Sequence, residues 1–145
     1  MNTENPMAEP HEDTEPPKES KSDTEGFLAE EVNPARWVEK KVLFDDQDYS
    51  VVSGKYEGHD GTLHDTLGER WNVSGGSANG FPTSYGHPAW HVVPDMLEIP
   101  ILHGLLDDLA RNPTNQRRES DIPPGTEAQV RRLRILSVLE DRLRG

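Results

Sequence analysis

The chain contains no cysteine. Disulfides and thiolate metal ligands are therefore excluded, and a reducing compartment suits it. Hydrophobic residues are scarce too, at 32% against a usual share of roughly 45–50%. A chain so poor in apolar mass cannot all be folded, so its 145 residues make one domain at most, plus tails. No apolar run approaches the length that crosses a bilayer. The opening Met-Asn-Thr-Glu-Asn-Pro has neither a basic n-region nor an apolar h-region, so no signal peptide is expected. These absences predict a cytoplasmic protein without a membrane partner.

Positive charge is also short. The net charge is −12, and it is unevenly spread. Residues 1–33 carry ten acids against two lysines, residues 34–112 twelve acids against six bases, and residues 113–145 five acids against seven arginines. An acidic surface repels nucleic acid and anionic lipid. It suits a basic protein surface, and its sharpest form would mimic nucleic acid toward a basic partner. The plain alternative is solubility.

What is present falls into four stretches. Residues 1–33 are rich in Glu, Pro, Ser, Thr and Asp and nearly free of large apolar side chains before Phe27-Leu28. Such a segment cannot bury enough surface to offset its ordering entropy, which predicts a disordered acidic tail. Phe27 and Leu28 begin its contact with the fold. Residues 34–112 carry β-prone runs at Trp37–Phe44 and Tyr49–Tyr56 around a polar turn, then a loop over 57–66, a third strand over Leu67–Val73 and a short fourth over Ala89–Val93. After Pro94 the period becomes helical. Asp95 and Glu98 resemble a capping box, but Pro100 is costly deep in a helix. The main helix is therefore expected from about Ile99 to Arg111. Residues 113–125 read as a linker. Residues 126–145 open on Thr126 with Gln129 and form an amphipathic helix. Its apolar face is expected to carry Leu133, Ile135, Leu136, Leu139 and Leu143, with Arg131, Arg134, Ser137 and Asp141 opposite. That helix packs on its own domain or makes a homodimer.

The fold so predicted is a small α+β domain. Three or four antiparallel strands pack on one helix, with the C-terminal amphipathic helix alongside and the acidic tail outside.

Function is sought in the window Gly68–Pro94, which holds two of the three tryptophans with Phe81, Tyr85, His87 and His91. Aromatics set between glycines and prolines mark a shaped surface or a loop held against a core. Trp90 is expected in the core and Trp71 partly exposed. The remaining binding rim is Arg70, Trp71, Asn72, Tyr85 and His87, a hot-spot composition. His59, His64, His87 and His91 form the alternative, a metal site, although no ligand signature of fixed spacing supports it. Glu69, Asp65, His64 and His87 could pair a carboxylate with an imidazole for acid–base work. Ser77 and Ser84 lack the nucleophile-elbow context. The glycine-rich stretch 73–80 lacks the Gly-Lys-Ser/Thr ending of a phosphate loop. Trp71, Phe81, Tyr85 and Trp90 could stack bases, but the surrounding segment has too few cations to hold phosphates. No catalytic residue and no cofactor are assigned. The sequence favours a non-enzymatic binding or accessory protein acting through protein contacts. A metal-dependent or acid–base enzyme and an acidic inhibitor of a nucleic-acid-handling protein are the alternatives.

Overall fold

A computed structural model of the chain describes residues 26–73 and 77–144. It shows an α+β fold: a four-stranded antiparallel sheet with two helices. The disordered tail expected over 1–33 falls mostly outside the described residues. Its last part, from Gly26, is packed into the fold.

Strands β1 (Trp37–Asp45) and β2 (Tyr49–Glu57) form a hairpin. Asp46 closes its turn by accepting the backbone N–H groups of Asp48 and Tyr49 through Oδ1, at 2.8 and 2.9 Å. That is the local bond for which aspartate is favoured in turns. β3 (Leu63–Trp71) pairs with β2 along its whole length. The third strand therefore starts four residues earlier than expected, and the loop contracts to Gly58–Thr62. His64 and Asp65 lie on the strand. Register explains the difference: Lys55 stands opposite Asp65 and donates to it at 2.7 Å, so a polar stretch with weak intrinsic strand preference is stabilised by its cross-strand neighbours.

A small separate hairpin, β4 (Thr83–Ser84) and β5 (His87–Pro88), follows. The expected fourth strand shrinks to β6 (His91–Val92), which extends the sheet in the order β1-β2-β3-β6. Pro88 and Pro94 flank it, and neither can donate to a ladder.

Helix α1 spans Asp95–Arg111 without a break, with Pro94 as its N-cap. The expected start at Ile99 is thus too late. Pro100 removes only the bond to the Met96 carbonyl. Both residues face solvent, where water serves that carbonyl. Glu98 caps nothing; it is buried and accepts from Arg142 of α2 (Glu127–Arg144).

The sheet has a core on each face. On one, Leu43, Val51 and Leu67 meet Leu102, Leu105 and Leu109 of α1 and Ile135 and Leu139 of α2. On the other, Trp37, Val42, Val52 and Trp90 are covered by Ala29 and Val32, in and beside a 3₁₀ turn at Ala29–Glu31. Gly68 lies under this second core. A Cβ there would approach the Trp37 ring to 2.8 Å and Trp90 to 3.0 Å.

The covering segment is tied down by buried polar bonds. Asp45 accepts from the Ala29 N–H at 2.9 Å and pairs with Arg117 at 2.7 Å. Arg117 also donates to the Phe27 carbonyl at 2.8 Å, and the Trp90 indole N–H donates to Val32 O at 2.9 Å. In the stretch 113–125, Gln116 accepts from the Asp45 N–H, and Ile122 is buried.

α2 turns a different face inward from the one its leucines suggested. Arg131, expected on the polar side, is fully buried in line with Ile135 and Leu139, whereas Leu133 and Leu143 are exposed. The reason is the sheet edge beneath it. Arg131 donates to Asp45 O at 3.3 Å and to Gln116 at 2.9 Å, and Arg134 donates to Val42 O at 2.8 Å. Both arginines also pair with Glu119. Carbonyls along the edge of β1 thus draw cations to this side of the helix. Among the described residues, no helix is long and apolar enough to cross a membrane.

Candidate ligand-binding cleft

Strand alternation sorts the window after Gly68. The bare Cα of Gly68 and the side chain of Arg70 turn to one face, and the side chains of Glu69 and Trp71 to the other. The second set borders a cleft of about 690 Å³ between the end of the sheet and α1. Phe44 and Tyr49 come from β1 and β2, Trp71 from β3, and Phe81 from the segment beyond. Asp46, Glu69 and Asp108 supply carboxylates, and His91 an imidazole.

The rings form a continuous set. Tyr49 stands opposite Trp71 in register, with ring centroids 5.2 Å apart, and Phe44 lies 6.4 Å from Tyr49. Such tilted contacts are favoured by the ring quadrupoles. Trp71 and Phe81 exchange two backbone hydrogen bonds, of 2.8 and 2.9 Å. They are nevertheless 54% and 58% exposed.

The polar groups form a chain. Tyr49 donates its hydroxyl to Glu69 Oε1. Glu69 Oε2 lies 3.4 Å from His91 Nδ1, and the two residues are cross-strand partners of β3 and β6. Burial, then the Glu69 carboxylate that accepts its hydrogen bond, push the Tyr49 hydroxyl well above the ordinary phenol value.

Arg70 and Asn72 are buried, which corrects their expected place on an exposed rim. Arg70 is 1% exposed. Its guanidinium donates to the carbonyls of Pro82 (3.2 Å), Ala89 (2.5 Å) and Asn79, and so props the chain that carries Phe81. Burial pulls this guanidinium down to about 10, with Arg117 adding to the effect and Asp45 opposing it. It therefore remains charged at neutral pH. Asn72 accepts from Ser50 at 2.8 Å and donates to Asp46 O at 2.8 Å, beneath the β1–β2 turn. Gly80 completes the support. Its φ is +66°, and a Cβ there would fall 2.1 Å from the Trp71 carbonyl oxygen, so only glycine passes.

The remaining predicted residues lie elsewhere. Tyr85 and Gly86 form the tip of the β4–β5 hairpin at φ 52° and 81°, a mirror-image two-residue turn. Tyr85 is 99% exposed and contributes nothing to the cleft lining. His87, on β5, stands opposite Ser84 and borders a different groove, beside Phe27, Val32 and Pro34. Ser77 accepts from the Asn79 N–H at 3.2 Å. The glycine-rich stretch 73–80 has its centre outside the described residues.

His59, His64, His87 and His91 are not brought together. His64 pairs with Tyr56 while His91 pairs with Glu69. The five residue steps of β3 from His64 to Glu69 separate them by roughly 17 Å. Among the described residues, no group of three or more histidines and carboxylates is placed to hold a metal ion.

Reasoning from the sequence missed Phe44, Tyr49, Asp46 and Asp108. The period-two pattern of Gly68-Glu-Arg-Trp71 could have separated Arg70 from Trp71. The contribution of α1 had no local signal. Comparison of the chain with family models, with curated proteins and with solved structures finds no match.

Proposed function

We propose that this is a non-enzymatic binding protein that acts through protein–protein contact, with the cleft between the sheet end and α1 as its recognition surface. One observation carries the reading: Trp71 and Phe81 are held half-exposed beside that cleft on a braced backbone. Exposed aromatics on a rigid support keep apolar area in water that a partner would cover, and they lose little entropy on binding. Displayed peptides panned on the full chain test this. Sequences enriched on the wild type should lose at least tenfold in affinity for a Trp71→Ala/Phe81→Ala variant that retains the wild-type circular dichroism. Equal binding to both forms removes the cleft from consideration.

The contact between Glu69 and His91 favours a second reading, an acid–base enzyme in which the carboxylate orients the imidazole. It predicts a small molecule consumed by the wild type and spared by His91→Ala when a metabolite mixture is followed by mass spectrometry. A mixture unchanged by the wild type counts against it.

A further inference from the structure

We infer that the group the cleft takes from its partner is an arginine side chain; this rests on the reading of the cleft as a recognition surface. The lining combines two things a guanidinium needs. Planar rings of Tyr49 and Trp71 provide faces for stacking, and carboxylates provide acceptors for its N–H groups.

The carboxylates come from three separate elements, and each is oriented by a bond of its own. Asp46 is held by the Asp48 and Tyr49 N–H groups, Glu69 by the Tyr49 hydroxyl, and Asp108 by the Asn112 side chain at 3.0 Å. The sole basic side chain of fixed charge in the lining, Arg70, directs its guanidinium at backbone carbonyls. The cleft wall is thus aromatic with an excess of acid, three carboxylates against this one guanidinium. An apolar side chain would desolvate those carboxylates without replacing their hydration, and an acidic one would be repelled. Lysine offers a point charge, whereas a guanidinium stacks flat and donates in a fork at once. The acid excess of residues 34–112 favours the approach of a cation from a distance.

Trp37 and Trp90 are buried and Trp71 is exposed, so quenching of tryptophan emission reports on the cleft. The probes are three blocked tripeptides, Gly-X-Gly, with X arginine, citrulline or norleucine, titrated into the full-length protein. Backbone amide shifts are recorded in parallel. The arginine peptide should bind at least tenfold tighter than either neutral one, with shifts centred on Tyr49, Glu69, Trp71 and His91. Its affinity should fall as salt rises. Asp108→Asn, which preserves the size of the side chain, should weaken it about threefold to tenfold and leave the norleucine peptide unaffected. Citrulline or norleucine binding as tightly as arginine overturns the inference while the cleft remains a recognition surface. Shifts that avoid the cleft for all three peptides also overturn it; peptide panning then judges the recognition surface independently.

Discussion

Trp71 exposes half its surface beside the cleft, while Arg70, one residue earlier, is buried against three carbonyls on the other side of the strand. Tyr49 shows how far such single placements reach. Its ring abuts Trp71, its hydroxyl is held by Glu69, and its ionisation is pushed upward by burial and by that carboxylate. A raised folded-state value means that the native protein holds the phenolic proton more tightly than the unfolded chain does. The associated stability is fully present below the unfolded value of about 10. It is lost as pH rises through the folded value. Thermal melts between about pH 9 and 11.5 should therefore show Tm falling steeply in the wild type. In Tyr49→Phe that alkaline slope should be shallower. Identical slopes would mean that Tyr49 ionises as freely in the folded protein as in the unfolded chain.

At the scale of the element, the two glycines Gly68 and Gly104 make opposite predictions from one substitution. Gly68 lies on β3 beneath Trp37 and Trp90, where an added Cβ meets both at 3.0 Å or less. Gly104 lies on the exposed side of α1, where an added Cβ meets nothing within 4 Å. Gly68→Ala should cost about 1–3 kcal/mol through overpacking. Gly104→Ala should add about 0.5–1 kcal/mol through helix propensity and a stiffer unfolded chain. Urea unfolding of the two variants checks both signs. A stabilising Gly68→Ala would show that the tryptophan layer is looser than its contacts indicate. The same helix illustrates what local rules could reach. The leucine stripe of α1 was visible in the sequence, but its first turn was not, because Pro100 argued against a helix whose exposed side tolerates the proline.

For the molecule as a whole, residues 26–32 and 116–117, far apart in the sequence, are held together against one strand end. Asp45 joins them: it binds Ala29 and Arg117, and Arg117 reaches back to Phe27. Ala29 and Val32 are buried in the second core. Deleting residues 1–32 should therefore lower stability by about 3–5 kcal/mol. The loss combines buried apolar area with a charged group left short of partners. Deletion of 1–25 leaves each of those contacts in place and serves as the control. Calorimetry of the two truncated forms decides. Equal Tm values would show that the segment from Gly26 contributes nothing to the fold.

Local pattern determined the element types by itself. The β-prone runs around Asp46–Asp48, the leucine period after Pro94 and the amphipathic C-terminal stretch each follow from spacing, because a strand repeats every two residues and a helix every 3.6. The excess of acid and the exposure of Trp71 were legible in the same way. Which face each element buries was decided only by the tertiary structure. Arg131 turned inward because the edge of β1 offered carbonyls, and His64 and Asp65 joined a strand because Tyr56 and Lys55 stood opposite. The cleft assembled because α1 brought Asp108 and Leu105 to the same cavity as Tyr49 and Trp71. Those partners lie on other elements, several of them tens of residues away in the chain, and periodicity carries no information about what will be packed against it.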